Sequence, residues 1–223
     1  MGEALTELIA LFDIRQSMAD LIQNYGVWTY AILFAVIFAE TGLVVAPFLP
    51  GDSLLFTAGL FAHPEMGAFN IFLLMGLLMA ASFLGDNVNF WVGRAIGRRA
   101  FKNEKSKIFK PQYLVKTREF FDKHGTKTIV IGRFVPIVRT YAPFVAGMDA
   151  MEYRKFVAAS ALGAVTWVSV CVLAGYFFGR IPWVERNFEA VIIGVILLSV
   201  SGILVEWAKS RIKKRKERQE AQS

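Results

Sequence analysis

Two stretches decide how this chain reads: Ala46-Pro47-Phe48-Leu49-Pro50-Gly51-Asp52-Ser53 and Gly132-Arg133-Phe134-Val135-Pro136-Ile137-Val138-Arg139. Each sets prolines and ionisable side chains inside sequence that is otherwise apolar. Proline removes a backbone donor and breaks the helical ladder. At membrane depth such non-helical backbone survives only where protein or a wet cavity surrounds it. Ionisable groups there cost about 2.5–3.5 kcal/mol each on insertion scales, and by default they mark functional sites. The first stretch carries Asp52 and follows Glu40; the second carries Arg133 and Arg139. Beyond it, Ala142-Pro143-Phe144-Val145-Ala146-Gly147 echoes residues 46–51 at four of six positions, 96 residues on. Interrupted apolar segments in corresponding places of two halves point to a transporter binding site.

The rest of the chain is consistent with a membrane setting. Its 223 residues are 55% hydrophobic, with a mean hydropathy of +0.46. Residues 71–92 carry only Asp86, residues 153–178 only Arg154 and Lys155 at their start, and residues 188–207 only Glu189 and Glu206 near their ends. Runs of about 20 apolar residues cross ~30 Å of hydrocarbon. Residues 27–46 are long enough too, but they run into the Pro47 and Pro50 break. Of 25 Lys and Arg, only Arg15 precedes residue 94, while eleven fall in 94–127 and seven in 209–218. The positive-inside rule places both clusters in the cytoplasm. Spans flanking the basic segments favour a membrane-surface role over nucleic-acid binding.

The expected fold is an all-α membrane protein. It has an internal inverted repeat with two opposed re-entrant broken-helix hairpins, plus transmembrane helices. Residues 1–25 form an amphipathic helix, with Leu5, Leu8, Ile9 and Phe12 on one face, ended at Asn24-Tyr25-Gly26. Residues 26–185 form the transmembrane domain, its halves at about 26–98 and 128–180 joined by the basic cytoplasmic loop 94–127. Residues 186–208 are a C-terminal span, and 209–223 a basic tail that puts the C-terminus in the cytoplasm. A second echo supports duplication: Gly93, Gly97 and Arg98 recur as Gly175, Gly179 and Arg180, at an offset of 82. Within the loop, residues 111–124 read as a helix with Tyr113, Leu114, Thr117, Phe120 and Phe121 on one face, stopped by Gly125.

If the hairpins meet at the midplane, Glu40 and Asp52 face Arg133 and Arg139. An arginine offers an always-charged planar fork of donors that suits phosphate or carboxylate. A buried Glu has its proton affinity raised by desolvation and lowered by an arginine, so it can be poised for proton exchange. The arginines are therefore the candidate phosphate ligands, and Glu40 and Asp52 the proton-coupling or ion-pairing groups. Asp86, with Asn87 and Asn89, is expected to cap the span or line the cavity. Pro47, Pro50, Gly51, Pro136, Pro143 and Gly147 are assigned to backbone shaping. The competing reading makes the four charges buried pairs that only hold two hairpins together. No cofactor or metal is expected, since His63 and His124 are the only histidines and lie outside the spans. Cys171 is alone, so no intrachain disulfide forms. An enzyme is not expected, because the spans lack a nucleophile with its base.

At these residues the chain resembles the DedA family, also called SNARE-associated or VTT-domain membrane proteins. The resemblance rests on Phe38-Ala39-Glu40-Thr41-Gly42, Pro47-Phe48-Leu49-Pro50-Gly51-Asp52-Ser53, Gly85-Asp86, Lys123-His124-Gly125 and the run from Gly132 to Arg139. Residues 142–148 and 175–179 match as well, and the likeness extends over roughly 20–185. The resemblance implies a multi-pass protein of the bacterial inner membrane with two opposed re-entrant hairpins. It implies translocation of lipid phosphates, notably undecaprenyl phosphate recycled during envelope synthesis, or scrambling of phospholipids, with links to the proton-motive force. It also implies that Glu40, Asp52, Arg133 and Arg139 are functional. The expected partners are membrane lipids, an isoprenyl or phospholipid phosphate, and protons, with a homo-oligomer allowed and no nucleic acid. The competing functions are a proton-coupled antiporter of small cations or drugs, and a non-transporting scaffold.

Overall fold

A computed structural model describes residues 14–43, 51–66, 68–102, 111–149 and 151–186, together with Val191 and Gly194. All regular structure among the described residues is helical. We number the helices α1 (Ile14–Tyr25), α2 (Trp28–Gly42), α3 (Gly51–Phe61), α4 (Ile71–Lys102), α5 (Pro111–His124), α6 (Thr128–Ile131), α7 (Pro136–Met148), α8 (Tyr153–Phe178) and α9 (Pro182–Arg186). Short 3-10 turns at Gly125–Lys127 and Gly132–Phe134 flank α6. Pro47 and Pro50, the Leu5–Phe12 face of the first helix, and the basic tail lie outside the described residues. So does the expected span 188–207, apart from Val191 and Gly194, which are both helical.

Local chemistry fixes the boundaries. Gly26 and Gly125 adopt positive φ, 50° and 57°, and terminate α1 and α5 with a conformation that side-chain-bearing residues avoid. Asn70 starts α4: its Oδ1 accepts the amides of Phe72 and Leu73 at 3.0 and 3.1 Å, as an N-cap should. The Asn70 amide in turn donates to the Tyr30 hydroxyl at 2.7 Å, tying this start to α2. Pro111 opens α5, where its missing N–H is not needed, and Lys123 and His124 close it on the favourable side of the helix dipole.

Among the described residues two helical stretches, Ile71–Gly97 and Tyr153–Phe178, are long and apolar enough to cross a membrane. Both pack against the shorter helices that follow the proline segments. α8 packs along α3, and α4 along α7. In each pair glycines are exchanged: a Cβ on Gly147 would meet Phe90 O at 2.0 Å and one on Gly93 would meet Phe144 O at 2.1 Å. Likewise a Cβ on Gly175 would meet Phe56 O at 1.8 Å and one on Gly59 would meet Val172 O at 2.1 Å. Small residues at such crossings let helix backbones touch, the packing that association in lipid relies on.

The echo at offset 96 aligns Gly147 with Gly51, but the two glycines meet different kinds of neighbour. Gly147 packs on a helix backbone, as Gly59 does, and each ends a similar word, Phe144-Val145-Ala146-Gly147 and Phe56-Thr57-Ala58-Gly59. Gly51 instead faces Glu40. Pro143 does not interrupt α7, which runs through it. As a helix-interior proline it withholds the amide that would bond the carbonyl of Arg139, four residues back.

Gly147→Ala is therefore expected to destabilise at or above the upper end of the ~1–3 kcal/mol of an overpacked core, since the obstacle is backbone. Gly76→Ala, where nothing lies within 4 Å, should leave the melting temperature unchanged or raise it slightly. Thermal unfolding in detergent compares the two.

Candidate functional site

The arginines lie on opposite sides of one short interruption. Arg133 belongs to the 3-10 turn, Val135 is extended (φ −118°, ψ 107°), and Pro136 starts α7, in whose first turn Arg139 lies. A residue before proline is pushed out of the helical region, which accounts for Val135. The interruption sends the two side chains to different partners.

Arg139 reaches the first charged segment. Its Nη2 donates to Glu40 Oε1 at 2.6 Å and its Nη1 to Asp52 Oδ1 at 2.7 Å. Glu40 is near the end of α2 and Asp52 in the first turn of α3, so one guanidinium bridges the two arms on either side of residues 44–50. Asp52 lies inside the first turn of α3, where a carboxylate complements the helix dipole. Gly51 is what admits Glu40: a Cβ there would stand 1.8 Å from Glu40 Oε2. Gly51→Ala should thus expel the Glu40 carboxylate from Arg139. Gly51→Ala and Glu40→Ala should therefore lower the melting temperature alike, since each takes the Glu40 carboxylate from Arg139.

Arg133 turns the other way, into α4 and α8. It pairs with Asp86, donates through Nη1 to Ser82 Oγ at 2.5 Å and through Nη2 to the Ser160 carbonyl at 3.3 Å. The Ser160 hydroxyl donates to Asp86 Oδ2 at 2.6 Å, which closes the network. A Cβ on Gly163 would come within 2.5 Å of Arg133 Nε, so glycine clears its path. Asn89 adds a strap: its Nδ2 donates to the carbonyls of Thr41 and Thr140, at 3.2 and 2.9 Å. These belong to α2 and α7, which it joins across α4.

The expected partnership of two acids with two arginines is thereby corrected. Glu40 and Asp52 both pair with Arg139, and Arg133 takes Asp86. The physical reason is the extended Val135, which faces Arg133 away from the first segment. Asp86 belongs to the central ionic network, not to a cap. Five charged side chains in all, two cations against three carboxylates, lie among apolar helices. They are not equally enclosed: side-chain exposure is 3% for Arg133, 2% for Glu40, 6% for Asp86 and 9% for Arg139, but 20% for Asp52. Asp52 and Arg139 are the more exposed members of the junction.

Ser82, Ser160, Gly163 and Trp167 were not assigned a role from the sequence, and Asn89 was named only beside Asp86. A signal was present. Ser82, Asp86 and Asn89 recur at helical spacing on α4, and Ser160, Gly163 and Trp167 on α8, making one polar or small stripe in each apolar span.

Apolar helices closed around an ionic junction fit a helical integral membrane protein. The VTT domain family matches residues 49–177. The chain is 50% identical to Protein DedA of Escherichia coli K12 over 202 residues, 91% of each chain. It is 39% identical to an uncharacterized membrane protein of Mycobacterium tuberculosis H37Rv over 207 residues, covering 92% of this chain and 90% of the relative. It is 33% identical to Inner membrane protein YghB of E. coli K12 over 172 residues, 77% and 78% of the two chains. No solved structure matches it. The chain belongs to the DedA family of VTT-domain membrane proteins.

Proposed function

We propose that the protein moves a lipid phosphate, undecaprenyl phosphate first among them, between leaflets of the bacterial inner membrane. The observation that carries this reading is the Arg139 guanidinium, held between Glu40 and Asp52 at the most open edge of the junction. A phosphate monoester offers paired anionic oxygens to which an arginine fork can donate in parallel, in place of the single oxygen it now meets on each carboxylate. An isoprenyl tail needs no protein pocket, since it can stay in lipid while the head group passes the junction. The inner-membrane setting is supported by the relative named an inner membrane protein.

Protons enter through charge balance. Three carboxylates against two guanidiniums leave one negative charge that a proton cancels. When phosphate takes the Arg139 fork, Glu40 and Asp52 lose their cation, and protonation lowers the cost of leaving them in apolar surroundings. Arg133 and Asp86 brace the turn from which α7 starts. The reciprocal glycine packing supports an internal repeat, and the proline segments support two opposed re-entrant hairpins as the moving parts. The C-terminal tail is read as cytoplasmic by its charge.

The surplus carboxylate also suits a second reading, a proton-coupled antiporter of small cations. One experiment separates them. Proteoliposomes holding the purified protein are given a fluorescent isoprenyl phosphate, a zwitterionic phospholipid, or a soluble organic cation, with and without an inward proton gradient. The lipid-phosphate reading predicts movement of the first, faster with the gradient. Flux of the cation without movement of the lipid phosphate would replace it by the antiporter.

A further inference from the structure

Trp167 is a buried aromatic residue that touches both halves of the ionic junction. It is 1% exposed and sits on α8, on the same face as Ser160 and Gly163. Its indole Nε1–H donates to Asp52 Oδ1 at 2.7 Å. That is the same oxygen that accepts Arg139 Nη1 at 2.7 Å. Its ring also lies against both guanidiniums, with Arg139 Cζ 5.0 Å and Arg133 Cζ 5.9 Å from the ring centroid. Both fall within the ~6 Å at which a cation is drawn to an indole face. One side chain therefore holds an acid by its edge and two like-charged groups by its face.

Resting on the lipid-phosphate reading, we infer that Trp167 is a positioning residue for substrate: it keeps hold of Asp52 while Arg139 exchanges that carboxylate for the phosphate. Arg139 can engage a phosphate only by loosening its hold on Glu40 and Asp52. Releasing a charged acceptor inside an apolar site is costly in proportion to the donors it loses. The indole N–H is a donor that stays. It makes the exchange a partial loss for Asp52, and the ring keeps Arg139 supported after its carboxylates let go. A phenylalanine preserves the face and removes the edge donor, so Trp167→Phe isolates the hydrogen bond.

The test uses full-length protein in detergent and farnesyl phosphate, a short isoprenyl phosphate, as probe. Four proteins are compared: wild type, Trp167→Phe, Asp52→Ala and the double variant. Without the indole N–H, Asp52 keeps Arg139 before binding but has neither of these donors after the exchange, and leaving a buried acceptor unsatisfied predicts that Trp167→Phe weakens farnesyl phosphate binding by about tenfold. In the Asp52→Ala background no acid remains to be held, so adding Trp167→Phe should change the dissociation constant by less than about twofold, the spread of independent effects. A merely structural tryptophan would weaken binding equally in both backgrounds, and that result, or no weakening in either, overturns the proposal. Thermal unfolding of the same four proteins without lipid tests the contact itself. The drop in melting temperature on Trp167→Phe should be larger with Asp52 than with Ala at position 52, and equal drops overturn it. If wild type binds no farnesyl phosphate while the unfolding cycle shows coupling, the lipid-phosphate reading fails. The substrate role of Trp167 then falls with it, leaving a brace.

Discussion

Arg133→Ala is expected to destabilise the protein by about 3–5 kcal/mol, the loss seen when one partner of a buried ion pair is removed. Asp86 would stay among α4, α7 and α8 with its carboxylate 6% exposed and its cation gone. Ser160 would still donate to Asp86, which softens the loss without cancelling it. A compensating variant distinguishes the lost pair from lost packing. Replacing both partners by apolar residues of similar size, Arg133→Met with Asp86→Leu, should recover most of the melting temperature, because an apolar pair carries no desolvation cost. Thermal unfolding of wild type, the single variant and the double variant decides it. If Arg133→Ala melts with wild type, the turn before α7 does not depend on this pair.

Arg139 carries the other large effect, and it falls on activity. Arg139→Lys keeps the charge but replaces the planar fork by a single ammonium, which cannot meet Glu40 Oε1 and Asp52 Oδ1 with the same geometry. Losing one charge-assisted hydrogen bond is worth about 1.5–3 kcal/mol, so transport should fall by roughly 10- to 100-fold. Arg139→Ala should abolish it. Arg139→Ala should also lower stability, by no less than Arg133→Ala, because it takes the cation from Glu40, 2% exposed, as well as from Asp52. Arg139→Lys keeps that charge, so it should fail chiefly by losing transport, and Arg133→Ala chiefly by unfolding. Measuring melting temperature and flipping rate on the same preparations separates the two. Should Arg139→Lys transport at the wild-type rate, the fork has no part in recognition.

Much of this was legible in the chain before any coordinates. The helices 111–124 and 153–178 have the bounds that Pro111, Gly125 and the apolar run predict. Glu40, Asp52, Arg133 and Arg139 do converge on one junction, because charges at bilayer depth have few stable places other than one another. The pairing within the junction was not legible. It depends on which way one extended residue, Val135, turns the chain, and no spacing rule encodes that direction. Asp86 was undervalued for a similar reason: a lone acid near the end of a span reads as a cap until its partner is placed opposite. The Pro-Phe echo also misled on register, since its glycines serve different ends. Gly51 yields to a carboxylate and Gly147 to a helix backbone, and only contacts tell these apart.

The most direct measurement is movement of a fluorescent isoprenyl phosphate between leaflets of proteoliposomes, wild type beside Arg139→Ala, both shown to be folded by their melting curves. Rapid movement with wild type, and the protein-free rate with Arg139→Ala, is the predicted result. Equal rates for the two would contradict the account, because the lipid phosphate would then cross without the guanidinium that is proposed to receive it.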